Sequence, residues 1–206
     1  MIKLGVLISG SGTNLQAIID AIADNRLDAS IELVVSSRPD AYGIKRARDV
    51  GIPTIALSKE VYREPLAADR LIVQEMKQAG PGRHGVDYVV MAGYMRMVRQ
   101  PLLEAFPNRI INIHPALLPA FIGAHGIADA FAYGVKITGV TVHFANENYD
   151  RGPIIAQRTM EIAEEDNLES LEQRIHDLEH VLYPEVLQLF AEGRVVLSPD
   201  RKVQIR

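Results

Sequence analysis

The 206-residue chain contains no cysteine. It can therefore form no disulfide, offer no thiolate nucleophile and hold no metal through sulfur. It also lacks any Lys/Arg-rich run, and its formal charge is −4. That balance leaves no electrostatic footprint for nucleic acid or for an anionic membrane surface. No segment approaches the roughly 20 apolar residues that a bilayer requires. The apolar start, residues 2–9, meets Gly10 and Ser11 too soon for a signal peptide. Internal repeats, low-complexity tracts and interdomain linkers are missing as well. What remains is the composition of an ordinary globular protein, 48% apolar and 23% charged, long enough to bury a substantial core. The expectation is a single cytoplasmic domain over residues 1–206, a monomer or homodimer whose partners are small molecules.

The first half alternates apolar runs with amphipathic helices. Residues 2–9 read as a strand covered on both faces. The turn Gly10-Ser11-Gly12-Thr13-Asn14 leads into a helix whose Leu15, Ile18, Ile19 and Ile22 share one side, with Thr13 or Asn14 as its cap. Further strands are expected at 31–36, 54–57, 86–92 and 109–113, with helices from about 41 to 51 and over 66–79. This rhythm predicts an α/β fold, an open and mostly parallel doubly wound sheet of Rossmann-like type with right-handed crossovers. The second half changes character. Val140, Val142 and Phe144 alternate with Thr141 and His143, as in a strand with two unlike faces. Residues 153–162 are its expected antiparallel hairpin partner. A long final helix covers about 167–192, and a small hairpin forms around Ser198-Pro199-Asp200.

The glycine turn sits between a strand and a helix, where backbone N–H groups and the positive end of the helix dipole favour an anion. Dinucleotide binding fits poorly. The third glycine of G-x-G-x-x-G is replaced by Leu15, and Val35-Ser36-Ser37-Arg38 offers no carboxylate to a ribose. A Gly-Lys-Ser/Thr ending is also missing. A phosphomonoester held without metal suits the turn better; the plainer reading is a tight turn that needs glycine only for its dihedrals.

Asn112-Ile113-His114-Pro115 ends the fifth expected strand, at the carboxyl edge where open α/β sheets bind ligands. Asn112 and His114 are two apart and so start from the same face. An amide and an imidazole aimed at one point can polarise a carbonyl and move a proton. Asp150 lies in the polar loop Asn146-Glu147-Asn148-Tyr149-Asp150-Arg151-Gly152-Pro153, the kind of scaffolded loop that carries catalytic groups. Each of the three also has a plainer reading, as a strand end, a backbone-bonded amide and a turn residue.

Taken together, these segments resemble the glycinamide ribonucleotide formyltransferases. Ser9-Gly10-Ser11-Gly12-Thr13-Asn14-Leu15-Gln16 is similar to the family's phosphate loop, and Met91-Ala92-Gly93-Tyr94-Met95-Arg96 to its folate-pocket segment. Asn112-Ile113-His114-Pro115-Ala116-Leu117-Leu118-Pro119 resembles the motif N-I-H-P-S-L-L-P. Gly139-Val140-Thr141-Val142-His143-Phe144, followed by Asp150-Arg151-Gly152-Pro153-Ile154-Ile155, resembles the catalytic-aspartate segment. Glu179-His180 with Tyr183-Pro184 completes the order, over residues 1–197.

The resemblance implies transfer of the formyl group of 10-formyltetrahydrofolate to the amine of glycinamide ribonucleotide, in purine synthesis. The folate would be a co-substrate, with no tightly bound cofactor and no metal. Catalysis would fall to Asn112, His114 and Asp150. Gly12, Thr13 and Asn14 would hold the substrate phosphate, with His176 and Glu179 on the ribose-phosphate side. Arg63 would be the folate-side arginine. Met95, Arg96, Met97, Val98 and Asn112 would line the pterin cleft, with Ala145, Asn146, Glu147, Asn148, Tyr149 and Asp150 as its other wall. Three positions depart from the pattern: Ala116 replaces the usual Ser, Ile122 a frequent Pro, and Ile127 a frequent His, with His125 two residues earlier. The rival enzymes are a 10-formyltetrahydrofolate hydrolase, expected to need a domain before Ile2, and a methionyl-tRNA formyltransferase, expected to need one after Arg206. A non-catalytic nucleotide-binding domain would need only the glycine turn.

Overall fold

The computed structural model describes residues 1–206. Its first half comprises β1 (Ile2–Ile8), α1 (Thr13–Ala23), β2 (Ala29–Ser36), α2 (Tyr42–Asp49), β3 (Thr54–Ala56), α3 (Pro65–Gln78), β4 (Tyr88–Met91), α4 (Gln100–Ala105) and β5 (Ile110–His114). Next come α5 (Gly126–Tyr133), β6 (Ile137–Phe144), β7 (Ile154–Glu161), α6 (Leu168–Ala191), β8 (Val195–Leu197) and β9 (Val203–Ile205). Seven strands form one sheet in the order β3-β2-β1-β4-β5-β6-β7, and β8 and β9 form a separate pair. The strands from β3 to β5 are parallel. β6 runs antiparallel to both β5 and β7. The expected fold class is therefore the observed one.

Helices cover both faces, which is why β1 and β4 are apolar on both sides. One core of 29 buried residues packs α1, α2 and α6 against the sheet; a second of 17 packs α3 and α4 against the other face. Along α6, Leu171, Ile175, Leu182, Val186 and Phe190 recur at helical spacing and are buried. A reciprocal cap starts this helix: Ser170 N–H donates to Asn167 Oδ1 at 2.9 Å, and Asn167 N–H to Ser170 Oγ at 3.0 Å. No helix is long and apolar enough to cross a membrane.

The strand order reverses between β1 and β4. The chain leaves these two neighbours in opposite directions, which opens a crevice at their carboxyl ends. The β1–α1 turn, the segment after β4 and the end of β5 all meet there.

Several local expectations change. Neither Thr13 nor Asn14 caps α1: the N-cap is Gly12, at φ 72, with no side-chain bond. Glycine reaches that left-handed backbone without a Cβ penalty. The short helices α4 and α5 were not anticipated, because six and eight residues give too few repeats for a 3.6-residue period to stand out. The pairing of β6 with β5, as well as with β7, was also unforeseen.

Tyr183 ties α6 to the crevice floor. Its ring is fully buried, and its hydroxyl lies 3.1 Å from Met91 O and 2.9 Å from Ile111 O. Tyr183→Phe leaves both carbonyls without this donor and should cost ~1–3 kcal/mol. Urea unfolding checks this; an unchanged midpoint would contradict it.

Candidate active site

Strand register brings the first pair of groups together. In the antiparallel β5–β6 ladder Asn112 stands opposite His143, and His114 opposite Thr141. Directly opposed side chains on one face are in reach of each other, and Asn112 Nδ2 lies 3.1 Å from His143 Nε2. His143 Nδ1 is 2.9 Å from Phe144 O. A carbonyl only accepts, so Nδ1 carries the proton and Nε2 of the neutral ring accepts from Asn112. This bond fixes which way the Asn112 amide faces. Its second N–H remains for a ligand.

Asp150 completes the cluster from the β6–β7 loop. Its Oδ2 lies 3.4 Å from His114 Nδ1, and its Oδ1 lies 3.6 Å from His143 Nε2. His143 spends Nε2 on Asn112, the shorter contact. Gly123 N–H donates to Asp150 Oδ2 at 2.9 Å. His114 Nε2 in turn donates to Phe121 O at 2.8 Å. His114 thus lies between two acceptors, the Asp150 carboxylate and the Phe121 carbonyl.

The backbone around this cluster is held in unusual shapes. Asp150 has φ 51 and Phe121 φ 50, in the left-handed region that L residues seldom occupy. Gly152 lets the loop return against β6: a Cβ there would sit 1.5 Å from Phe144 O. His114, His143 and Asp150 are each buried. Burial pushes the Asp150 carboxyl up, while the Gly123 N–H and the neighbouring His114 ring pull it down. The carboxyl ends below its ordinary value.

A cleft of about 100 Å³ opens onto these groups. Met95, Arg96, Met97 and Val98 line one side, and Ala145, Asn146, Asn148 and Tyr149 the other. Gly123 and Ala124 of the loop before α5 lie across it. Two residues expected at the cleft do not line it. Glu147 borders a separate recess with Met97 and Leu103, and Arg63 is exposed at the end of a 3-10 turn, Val61–Arg63. That turn is nevertheless anchored beside the cleft. Tyr62 and Tyr94 share a hydroxyl–hydroxyl bond of 2.8 Å, and Arg96 stacks 4.5 Å over the Tyr62 ring.

The glycine turn lies on the other side of the crevice. Asn14 Nδ2 donates to Glu179 Oε2 at 3.1 Å, leaving the buried Asn14 Oδ1 without a partner. That orientation offers a ligand an acceptor. It suits a hydroxyl or N–H, so a phosphate oxygen at this turn would be met by backbone N–H groups. His176 Nδ1 is 3.0 Å from the same Glu179 oxygen, and this bond raises the His176 pKa against the opposing effect of burial. Ser9 joins the two sides, since its Oγ accepts from Met95 N–H at 2.8 Å.

Sequence reading missed His143, Phe121 and Gly123. His143 left one signal, a polar residue between buried Val142 and Phe144, but its partner depends on the unforeseen β5–β6 register. Phe121 and Gly123 act through backbone atoms and leave no side-chain signature. Of the departing positions, Ile127 is buried in the core and Ala116 is fully buried, while Ile122 and His125 are exposed.

Fold and site together define an open α/β enzyme whose imidazole–carboxylate cluster lies at the carboxyl edge of the sheet, across a crevice from an anion-suited turn. Comparison with known proteins makes this specific. Residues 2–187 match the formyl transferase family model. The chain is 43% identical to phosphoribosylglycinamide formyltransferase of Bacillus subtilis, over 91% of this chain and 94% of that one. It is 38% identical to the trifunctional purine biosynthetic protein adenosine-3 of Drosophila melanogaster, over 96% of this chain but only 14% of that much longer protein. The crystal structure of glycinamide ribonucleotide transformylase 1 from Symbiobacterium toebii superposes with a TM-score of 0.93 at 47% identity, covering 100% of this chain and 94% of that one. The chain belongs to the formyl transferase family and, within it, to the phosphoribosylglycinamide formyltransferases.

A carboxyl whose folded-state pKa lies below the unfolded value stabilises the fold above that unfolded value. The contribution is lost as pH falls through the folded one. Stability should therefore fall as pH drops below about 4, and Asp150→Asn should flatten part of that slope. Urea midpoints measured across this range check it; parallel curves for both proteins would separate the Asp150 charge from folding.

Proposed function

We propose that the chain, as one formyltransferase domain in the cytoplasm, transfers the formyl group of 10-formyltetrahydrofolate to the amine of glycinamide ribonucleotide. The products are formyl-glycinamide ribonucleotide and tetrahydrofolate, in purine synthesis. The observation that carries this reading is the cluster itself: an amide held by His143, and an imidazole set between a carboxylate and a carbonyl, all facing one cleft.

The reaction moves an acyl group between two nitrogens. The amine attacks the formyl carbon, and negative charge develops on the formyl oxygen. The free Asn112 N–H and the protonated His114 ring stabilise that charge; one such donor is typically worth ~3 kcal/mol. The attacking amine must lose a proton and the departing folate nitrogen must gain one. His114 serves both transfers, directly or through water. Asp150 favours the charged ring and orients it. For His114 Nε2 to reach the reacting atoms the Phe121 carbonyl has to give way, so the loop before α5 shifts as substrates enter.

On the nucleotide side, the backbone N–H groups of Gly12, Thr13 and Asn14 take the phosphate. Asn14 Oδ1 and Glu179 accept from ribose hydroxyls, and His176 flanks them. On the folate side, Met95, Met97 and Val98 give the pterin an apolar wall. Arg96 lines the same cleft, and Arg63 on the neighbouring turn is the folate-side arginine.

Formyl transfer assayed with and without glycinamide ribonucleotide tests the reading. Deformylation at the same rate without the ribonucleotide would mark a hydrolase instead. His114→Ala should lower kcat by about 10²–10⁴-fold while both substrates still bind, since the ring acts on charge and protons rather than on ground-state affinity. Turnover near wild type in a folded variant would remove His114 from the mechanism.

A further inference from the structure

A second feature adjoins the glycine turn on the side away from the folate cleft. A recess of about 310 Å³ is lined by Thr13, Gln16, Asp20, Arg26, Arg46 and His180. Its charges differ in what they are free to do. Asp20 accepts from the Gln16 amide at 2.8 Å, and Arg26 is engaged by Asp24 at 3.1 Å. Arg46 has no carboxylate partner.

The fold places Arg46 with care. Gly43 N–H donates to Gly10 O at 3.1 Å, and a Cβ on Gly12 would lie 2.6 Å from Gly43 Cα. Backbone packing this close lays the start of α2 directly on the turn. From α2, Arg46 Nε donates to Ser11 O at 2.9 Å and its Nη1 to Gln16 Oε1 at 3.1 Å. The guanidinium also stacks 5.0 Å over the Tyr42 ring. It is thus a half-buried cation held in one geometry, with its second terminal nitrogen unused within the protein. Across the recess, His180 Nε2 is buried and has no partner.

Electrostatics give these two groups a task. A phosphomonoester carries about −1.5 to −2 at neutral pH, while a helix N-terminus supplies only about half a positive charge. The buried Glu179 carboxylate, bonded to Asn14 and His176, leaves His176 engaged and adds no positive charge of its own. A full cation is needed, and Arg46 is the one the recess leaves unpaired.

We propose that Arg46 and His180 form a second wall of the phosphate site and set its selectivity for the phosphorylated substrate. Arg46 is a positioning residue: it holds the turn through Ser11 O and adds its charge to the field at the N-terminus of α1. His180 offers the Nε2 proton to a phosphate oxygen. The inference rests on the reading of the turn as the phosphate site for glycinamide ribonucleotide.

The test compares glycinamide ribonucleotide with its dephosphorylated riboside in wild type, Arg46→Met, Arg46→Gln and Arg46→Lys. Wild type should prefer the ribonucleotide strongly in kcat/KM; no preference would overturn the phosphate reading, and this inference with it. Arg46→Met and Arg46→Gln should raise the ribonucleotide KM about tenfold, a loss of ~1.4 kcal/mol. The fall in kcat/KM should be much larger for the ribonucleotide than for the riboside. Arg46→Lys should recover most of the loss, because it restores charge. His180→Gln should raise the ribonucleotide KM by a smaller factor, without raising that of the folate. Equal losses on both substrates, or no recovery with lysine, would make Arg46 merely structural and overturn the inference while leaving the phosphate reading intact. If Arg46→Met does not fold, the difference between Arg46→Gln and Arg46→Lys decides the question by the same criteria.

Discussion

A carboxylate taken out of water has to be compensated, and Asp150 carries that requirement here. It is 8% exposed, and an isolated charge so placed would cost several kcal/mol or take up a proton instead. The His114 ring and the Gly123 N–H supply the compensation. Each comes from a different stretch of chain, so satisfying one charge brings β5, the β6–β7 loop and the loop before α5 to a common point. Left-handed backbone at Asp150 and Phe121 is the cost, of order ~1–3 kcal/mol each. The groups that offset it are the same ones that orient His114. Stability and the geometry of the proposed catalytic cluster are therefore coupled at this position.

The sheet explains why the glycine turn and the cleft share one crevice. Reversal of strand order between β1 and β4 leaves their carboxyl ends open, with the glycine turn on one flank and the cleft on the other. The β5–β6 register adds the amide–imidazole pair between them. Ser9 links the flanks through Met95 N–H, and Tyr183 fixes the floor through Met91 O and Ile111 O. In the proposed function, an amine carried by a phosphate-anchored substrate and a formyl group carried by a folate are brought face to face by rigid elements.

Much of this was legible in the residues. The alternation of apolar runs and amphipathic helices pointed to the parallel half of the sheet, since burial on both faces writes itself into β1 and β4 as continuous apolar runs. Asn112 and His114 were visible through their two-residue spacing, and Asp150 through its polar loop. Whether Asp150 met His114 was not visible, because the contact crosses 36 residues and depends on a loop backbone that no periodicity encodes. His143 was hidden for a related reason: its role comes from the strand it pairs with. The orientation of Asn14 was also beyond sequence, as it follows from Glu179 on the last helix. Arg46 sits on a short helix with an ordinary amphipathic pattern, and only packing brings it to the turn.

The central claim is spatial: the formyl group meets its acceptor amine at the Asn112–His114 face, with the phosphate anchored at the glycine turn. A crystal structure of the protein with glycinamide ribonucleotide and a non-transferring folate analogue tests it directly. The account predicts the oxygen that stands in for the formyl oxygen within hydrogen-bond distance of Asn112 Nδ2, the phosphate on the Gly12–Asn14 N–H groups, and the Phe121 carbonyl moved off His114 Nε2. A ternary complex with the reacting atoms away from Asn112 and His114, or with the phosphate elsewhere, would contradict it.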